Sequence, residues 1–189
     1  MNNERFDIND EEAGRDDITI EAESMEQESR LKPELMHLVP VFDLESIDGK
    51  KASPWDFKER KNLLLFFFRA EESDDWDTLA LLKQRAQDFS EISTEVMVIG
   101  RGTFGELEEC VGSLNLPFHI LFDEDGKAAE HYGVSGAAIF ATDRFNMLRF
   151  KSEVTSDIAD KVIDKAFTVI DLAELECPEC GVTTWPELE

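Results

Sequence analysis

Residues 137–150 read AAIFATDRFNMLRF, and this stretch decides the fold. Ala137–Thr142 is an apolar run of strand length. Asp143-Arg144-Phe145-Asn146 has the composition of a turn, and Met147–Phe150 is apolar again. Parallel neighbours need a crossover of a dozen or more residues, so four residues can join these two strands only as antiparallel neighbours. Upstream, Asn62–Phe68 (NLLLFFF), Glu95–Gly100 (EVMVIG) and Phe118–Phe122 (FHILF) are continuous apolar runs bounded by charge or glycine. Strands buried on both faces have this form. Between them, Leu79, Leu82, Ala86 and Phe89 predict a helix over Thr78–Ile92. Phe104, Leu107, Cys110 and Leu114 predict another over Thr103–Leu114. Lys127–Tyr132 fits a short helix. Ser156–Leu175 fits a long closing one, with Ser156 and Asp157 suited to its N-terminus. Val39–Ile47 is apolar and extended, and Asp48-Gly49-Lys50 signals a hairpin.

This order predicts an α/β fold with a central mixed sheet flanked by helices. Strand–helix alternation alone also fits a flavodoxin-like fold. The terminal antiparallel pair and the closing helix select the thioredoxin-like arrangement instead.

The 189 residues are 42% hydrophobic, enough for a core, and carry 19 Lys+Arg against 43 Asp+Glu, a net charge of −24. Nucleic-acid partners are excluded, because neutralising phosphates takes clustered basic side chains. Anionic membrane surfaces attract basic segments and are excluded likewise. No apolar run approaches 18 residues and the N-terminus has no apolar core, so neither a membrane span nor a secretory signal is expected. Three cysteines do not make a disulfide scaffold. A soluble cytoplasmic protein is the expectation. Residues 1–36 hold twelve acids against four bases with scattered apolar residues, which predicts a largely disordered acidic arm. It is either a solvated tail or a docking arm for a basic protein partner. The body is expected over 37–175 and a tail over 176–189.

Three segments resemble peroxiredoxins of the alkyl hydroperoxide reductase/thiol-specific antioxidant family. VFDLESIDGKKASPWDFKERKNLLLFFF (41–68) is similar to the family's opening, with its D-F-x-L, D-G-K turn, S-x-x-D-F and buried strand. PFHILFDEDGKAAEHYGV (117–134) is similar to its later P-F-x-L-L-x-D-x-D-G segment, and AAIFATD (137–143) to the strand after that. The resemblance spans about residues 39–170 and implies thiol-based antioxidant, oxidoreductase chemistry.

The residues that would carry this chemistry differ. The family's T-x-x-C follows the first core strand, where a helix N-terminus favours thiolate. Here the stretch is Arg69-Ala70-Glu71-Glu72-Ser73-Asp74-Asp75-Trp76-Asp77. Ser73 matches the threonine and Trp76 falls at the peroxidatic cysteine. Aligned to the C-x-x-C of thioredoxin-type reductases, the loop offers Glu72-Ser73-Asp74-Asp75. The four acids Glu71, Glu72, Asp74 and Asp75 disfavour a thiolate and suit the start of a helix. Ala137 stands where the resemblance implies a cis-proline or an active-site arginine. The usual pocket is therefore expected to be degenerate.

Cys110 lies on an apolar helix face, where packing is the plain reading and a displaced redox partner the sharper one. Cys177-Pro178-Glu179-Cys180-Gly181 allows two chemistries. It could be a redox pair, although the preceding helix C-terminus and the surrounding glutamates raise thiol pKa values. It also resembles the metal knuckle of zinc ribbons and rubredoxins. Zinc would then need further ligands from Cys110, His37, His119 or His131, or a second chain's knuckle in a homodimer. Trp185 could anchor the tail or mark a partner contact. Three functions remain open at this point. They are a non-catalytic binding or scaffold domain, a redox protein using Cys177 and Cys180, and a metal-dependent assembly protein.

Overall fold

The computed structural model describes residues 31–176. These form a seven-stranded sheet in the order β2-β1-β5-β4-β3-β6-β7. The strands are β1 (Leu44–Ser46), β2 (Lys51–Ala52), β3 (Asn62–Arg69), β4 (Thr94–Arg101), β5 (His119–Phe122), β6 (Ala137–Thr142) and β7 (Leu148–Val154). The helices are α1 (Ser73–Gln84), α2 (Ala86–Glu91), α3 (Phe104–Leu114), α4 (Lys127–Tyr132) and α5 (Ala159–Leu175). β3, β4 and β5 are parallel, β6 runs antiparallel to β3, and β7 antiparallel to β6. This is the mixed, helix-flanked sheet expected from the 137–150 turn. Asp143 Oδ1 accepts from the backbone N–H of Phe145 and Met147, and Asn146 takes φ 63°, so the turn closes through its own side chains. The hairpin at Asp48–Lys50 also forms, with Gly49 at φ 79°.

β3 shows why a continuous apolar run is needed. Alternate side chains face opposite layers, and both layers are covered. Leu64, Phe66 and Phe68 join Leu79, Leu82, Leu107, Cys110, Ile163 and Ala166 on the face of α1, α3 and α5. Leu63, Leu65 and Phe67 join Phe42, Tyr132, Phe140 and Leu148 on the face of α4. Tyr132 is fully buried, and its hydroxyl donates to Pro40 O at 2.7 Å, so the ring packs without an unpaired polar atom.

Three expectations need correction. The expected single helix over Thr78–Ile92 starts at Ser73 and is broken at Arg85 into α1 and α2. The Arg85 guanidinium is held by Asp88 and Asp164, and the Arg85 backbone N–H reaches both Leu81 O and Leu82 O, which tightens the turn. Ser156 and Asp157 do not cap α5. They belong to a turn in which Ile158 N bonds Thr155 O at 3.1 Å and Thr155 Oγ1 donates to Asp157 Oδ1 at 2.5 Å. Finally, the body does not begin at residue 37. Leu31 is buried in the α4-side core, Lys32 N bonds Tyr132 O at 3.0 Å, and Lys151 Nζ donates to Leu31 O and Pro33 O. Alternation of buried Leu31 and Pro33 with exposed Lys32 and Glu34 gives this segment an inward face too short to show as a periodic pattern.

Candidate functional site

Parallel strands in an open sheet present their carboxyl ends to ligands. Here the ends of β3 and β4 carry Arg69 and Arg101, α1 starts just beyond β3, and the chain re-enters the sheet at Ala137. Ser73 is the exposed first residue of α1, and Asp74 and Asp75 fill its first turn. The expectation that the acids suit a helix start fits this placement, although the N-cap residue Glu72 makes no side-chain capping bond.

Asp75 instead turns back toward the strand. Its Oδ2 accepts from Arg69 N at 2.9 Å and lies 3.5 Å from Arg69 Nε. Burial raises the Asp75 pKa above the ordinary carboxylate value, against the opposing pull of the Arg69 backbone N–H and guanidinium. Glu72 Oε1 takes the other side of the same guanidinium at 3.2 Å from Nη1. Arg101 Nη2 donates to Ser135 O at 2.8 Å, tying the end of β4 to the loop before β6. Both strand-end cations are thus engaged by the chain's own oxygens.

Trp76 is half-buried, and its indole Nε1 donates to Ala70 O at 2.9 Å. It packs on the apolar cluster that also contains Ala70 and Ala137. The structure therefore brings Ser73, Trp76 and Ala137 to one end of the sheet, as a shared pocket requires. Ala137 is itself buried, an apolar first residue of β6. Gly102, at φ 132°, lets two more acids close in. A Cβ there would lie 3.1 Å from Glu106 Oε2 and 3.2 Å from Glu71 Oε2. Glu106 accepts from the Thr103 backbone N–H and hydroxyl, which hold its carboxyl below the ordinary range. No cysteine occurs between Arg69 and Glu109. Around the start of α1 the described side chains are mainly acidic, Glu71, Glu72, Asp74, Asp75 and Glu106, whereas a thiolate is favoured by positive charge.

Cys110 is fully buried on α3, away from solvent. Burial pushes its thiol up to about 11, so it is neutral at pH 7. Iodoacetamide at pH 7 is expected to leave Cys110 unmodified in the native chain and to modify it after denaturation, read by peptide mass mapping. Rapid native labelling would refute its role as a packing residue. The raised pKa also has a sign in stability. The unfolded chain sheds this proton first, so the contribution is full below about 9 and is lost as pH rises toward about 11.

Cys177 and Cys180 lie outside the described residues. Glu176, immediately before them, pairs with Arg149 at 3.0 Å, and Arg149 Nε donates to Asp143 in the β6–β7 turn. That turn lies at the end of the sheet opposite Ser73, since Leu63 pairs with Thr142 and Phe67 with Ala138. Of the other zinc candidates, His119 sits on β5 with Nε2 3.5 Å from Glu95, and His37 lies 3.7 Å from Glu34. His131 is exposed on α4. Among the described residues, no three His, Cys, Asp or Glu side chains converge on a metal position. Nor is any helix there long and apolar enough to cross a membrane.

One polar residue with a clear role was not anticipated. Asp123 is buried at the end of β5, and its two oxygens accept from Ala128 N and Ala129 N at 3.1 and 2.9 Å. It supplies the first-turn acceptors of α4. The sequence signal was available, an acid followed by Asp-Gly before a helix.

Solved structures share this fold at low identity. The peroxidoxin BcpB from Mycobacterium tuberculosis matches with a TM-score of 0.66 at 17% identity, over 74% of this chain and 97% of that one. A putative thiol:disulfide interchange protein DsbE from Chlorobium tepidum matches with a TM-score of 0.68 at 15% identity, over 74% and 99%. Thioredoxin peroxidase I from Plasmodium yoelii matches with a TM-score of 0.60 at 17% identity, over 82% and 97%. Comparison with curated protein sequences finds none similar. A family model, however, matches residues 36–174, nearly the whole described body. With the thioredoxin-like sheet and the resemblances in 41–68, 117–134 and 137–143, this places the chain in the AhpC/TSA family.

Proposed function

We propose that this chain is a peroxiredoxin-like domain whose peroxide-reducing site has been lost and whose role is to bind a protein partner in the cytoplasm. The observation that carries this reading is the start of α1. Ser73 and Trp76 occupy it, no thiol is present in the segment, and Arg69 is held by Glu72 and Asp75 rather than left for a thiolate. Ala137 supports it independently, because an apolar side chain there offers an oxyanion nothing to bind.

The family's chemistry could survive only through Cys177 and Cys180, as a redox pair or with zinc. The direct test is hydrogen peroxide consumption by the full chain with dithiothreitol or thioredoxin and its reductase. Wild type and a Cys110→Ser/Cys177→Ser/Cys180→Ser variant are expected to show the same background rate. Thiol-dependent turnover in wild type that vanishes in the triple variant would overturn the binding role and favour the redox pair.

A further inference from the structure

A second surface lies on the same end of the sheet, at the neighbouring strand. A cavity of about 470 Å³ opens between the start of β1, the end of β5 and the start of α3. That volume is within the range of real ligand pockets. Phe104 and Phe122 form its apolar wall, edge to face at 5.9 Å, and Leu44 continues it. Phe104 is 48% exposed although it begins a helix that buries Leu107 and Cys110. Aromatic side chains are enriched at protein contact surfaces.

Charge around this wall is one-sided. Asp43, Glu45, Glu124 and Asp125 line the cavity, with Lys51 as the only basic lining residue. Asp125 is paired to Lys127 at 2.5 Å. Asp43, Glu45 and Glu124 have no ion-pair partner among the described residues. Among the described residues, the cavity therefore combines an apolar wall with carboxylates that no cation pairs.

We infer that this cavity docks a lysine- and arginine-rich segment of a partner protein, which inserts an apolar side chain against Phe104 and Phe122 and sets its cations on Asp43, Glu45 and Glu124. Charge complementarity selects this occupant. Acidic segments and nucleic acids are repelled, and a neutral apolar peptide leaves the carboxylates unmatched. The exposed face of Phe104 adds a site for an ammonium or guanidinium. A chain of net charge −24 also speeds the approach of a basic partner. The inference rests on the binding role proposed above and supplies the chemistry of the partner.

Fluorescence anisotropy with the full chain tests it, using a labelled Lys-Lys-Leu-Lys-Phe-Lys-Lys probe at low salt. Binding is expected, and the matching glutamate peptide is expected not to bind. Phe104→Ala should weaken binding about tenfold or more, as for an anchor residue. Its exposed position keeps folding intact, which circular dichroism checks. Asp43→Asn/Glu45→Gln should weaken it clearly more than Glu108→Gln/Glu109→Gln, an equal charge change on exposed α3 positions outside the cavity. Equal loss in the two double variants, or no effect of Phe104→Ala, would overturn the assignment and leave diffuse attraction to an acidic protein. Displacement of the probe by an equal concentration of spermine would also overturn it, since a small polyamine cannot use the aromatic wall. None of these outcomes involves peroxide, so a failed docking surface and a surviving peroxidase are read separately.

Discussion

Replacing Phe67 with alanine is expected to lower the unfolding free energy by about 3–5 kcal/mol, the usual range for deleting a buried phenylalanine ring. Domains of ordinary stability have only about 5–15 kcal/mol in total, so this one truncation brings the chain close to unfolding. Phe67 belongs at the severe end for geometric reasons. It is 1% exposed on the central strand β3, and both neighbouring strands are paired along its length. Its ring meets Tyr132 at 4.9 Å, Phe140 at 5.7 Å and Phe42 at 6.4 Å, the last two nearly perpendicular. These partners come from α4, β6 and the segment before β1, so the cavity left by the ring has walls that cannot close together. Urea unfolding should show a lower midpoint with an unchanged slope. Phe67→Leu should lie between wild type and Phe67→Ala. A loss below about 1 kcal/mol for the alanine variant would mean that the aromatic cluster relaxes freely, contrary to the close packing of protein cores.

Phe67 also shows why the fold was legible in the sequence. NLLLFFF has no alternation, and a strand without alternation needs two covered faces. The structure supplies them, with Phe66 and Phe67 pointing into different clusters. The AAIFATDRFNMLRF turn was legible because loop length alone forbids a parallel connection. What escaped depends on contacts distant in sequence. The break at Arg85 goes with a guanidinium held by Asp164 on α5, and the burial of Leu31 with bonds from its segment to Tyr132 and Lys151. That Ser73, Trp76 and Ala137 lie at one end of the sheet could be read through motif resemblance, because the motifs fix their positions relative to strands. The engagement of Arg69 by Asp75 could not, since a first-turn aspartate is ordinarily read as facing solvent. Phe104 and Phe122 each fit a local pattern, as a helix residue and as a strand residue. Only the tertiary fold brings them edge to face at a cavity mouth.

Introducing a cysteine at Trp76, the position we propose to match the family's reactive cysteine, is expected to fail chemically and to weaken the fold. Trp76→Cys, in a Cys110→Ser/Cys177→Ser/Cys180→Ser background, leaves a single thiol in the first turns of α1. Removing the half-buried indole and its 2.9 Å bond to Ala70 O should cost about 2–4 kcal/mol, less than a fully buried tryptophan. Two fields then act on the new thiol in opposite directions. The N-terminus of a twelve-residue helix favours thiolate. Glu72, Asp74 and Asp75 disfavour it, and the nearest cation, Arg69, is already shared by two of these acids. The acids should win, because three carboxylates, even with the single charge of Arg69 set against them, outweigh the roughly half charge of a helix end. Alkylation rates followed across pH should therefore show a midpoint at or above that of a free cysteine, about 8.5, and peroxide consumption should stay at background. A midpoint below about 7 with measurable peroxidase turnover would show that the scaffold still supports the family's reaction and that the loss at Trp76 is the loss of one atom type. If the midpoint is high and then falls when Glu72→Gln and Asp74→Asn are added, the acids are the cause. The pocket would then have diverged through its electrostatic surroundings as well as through its nucleophile.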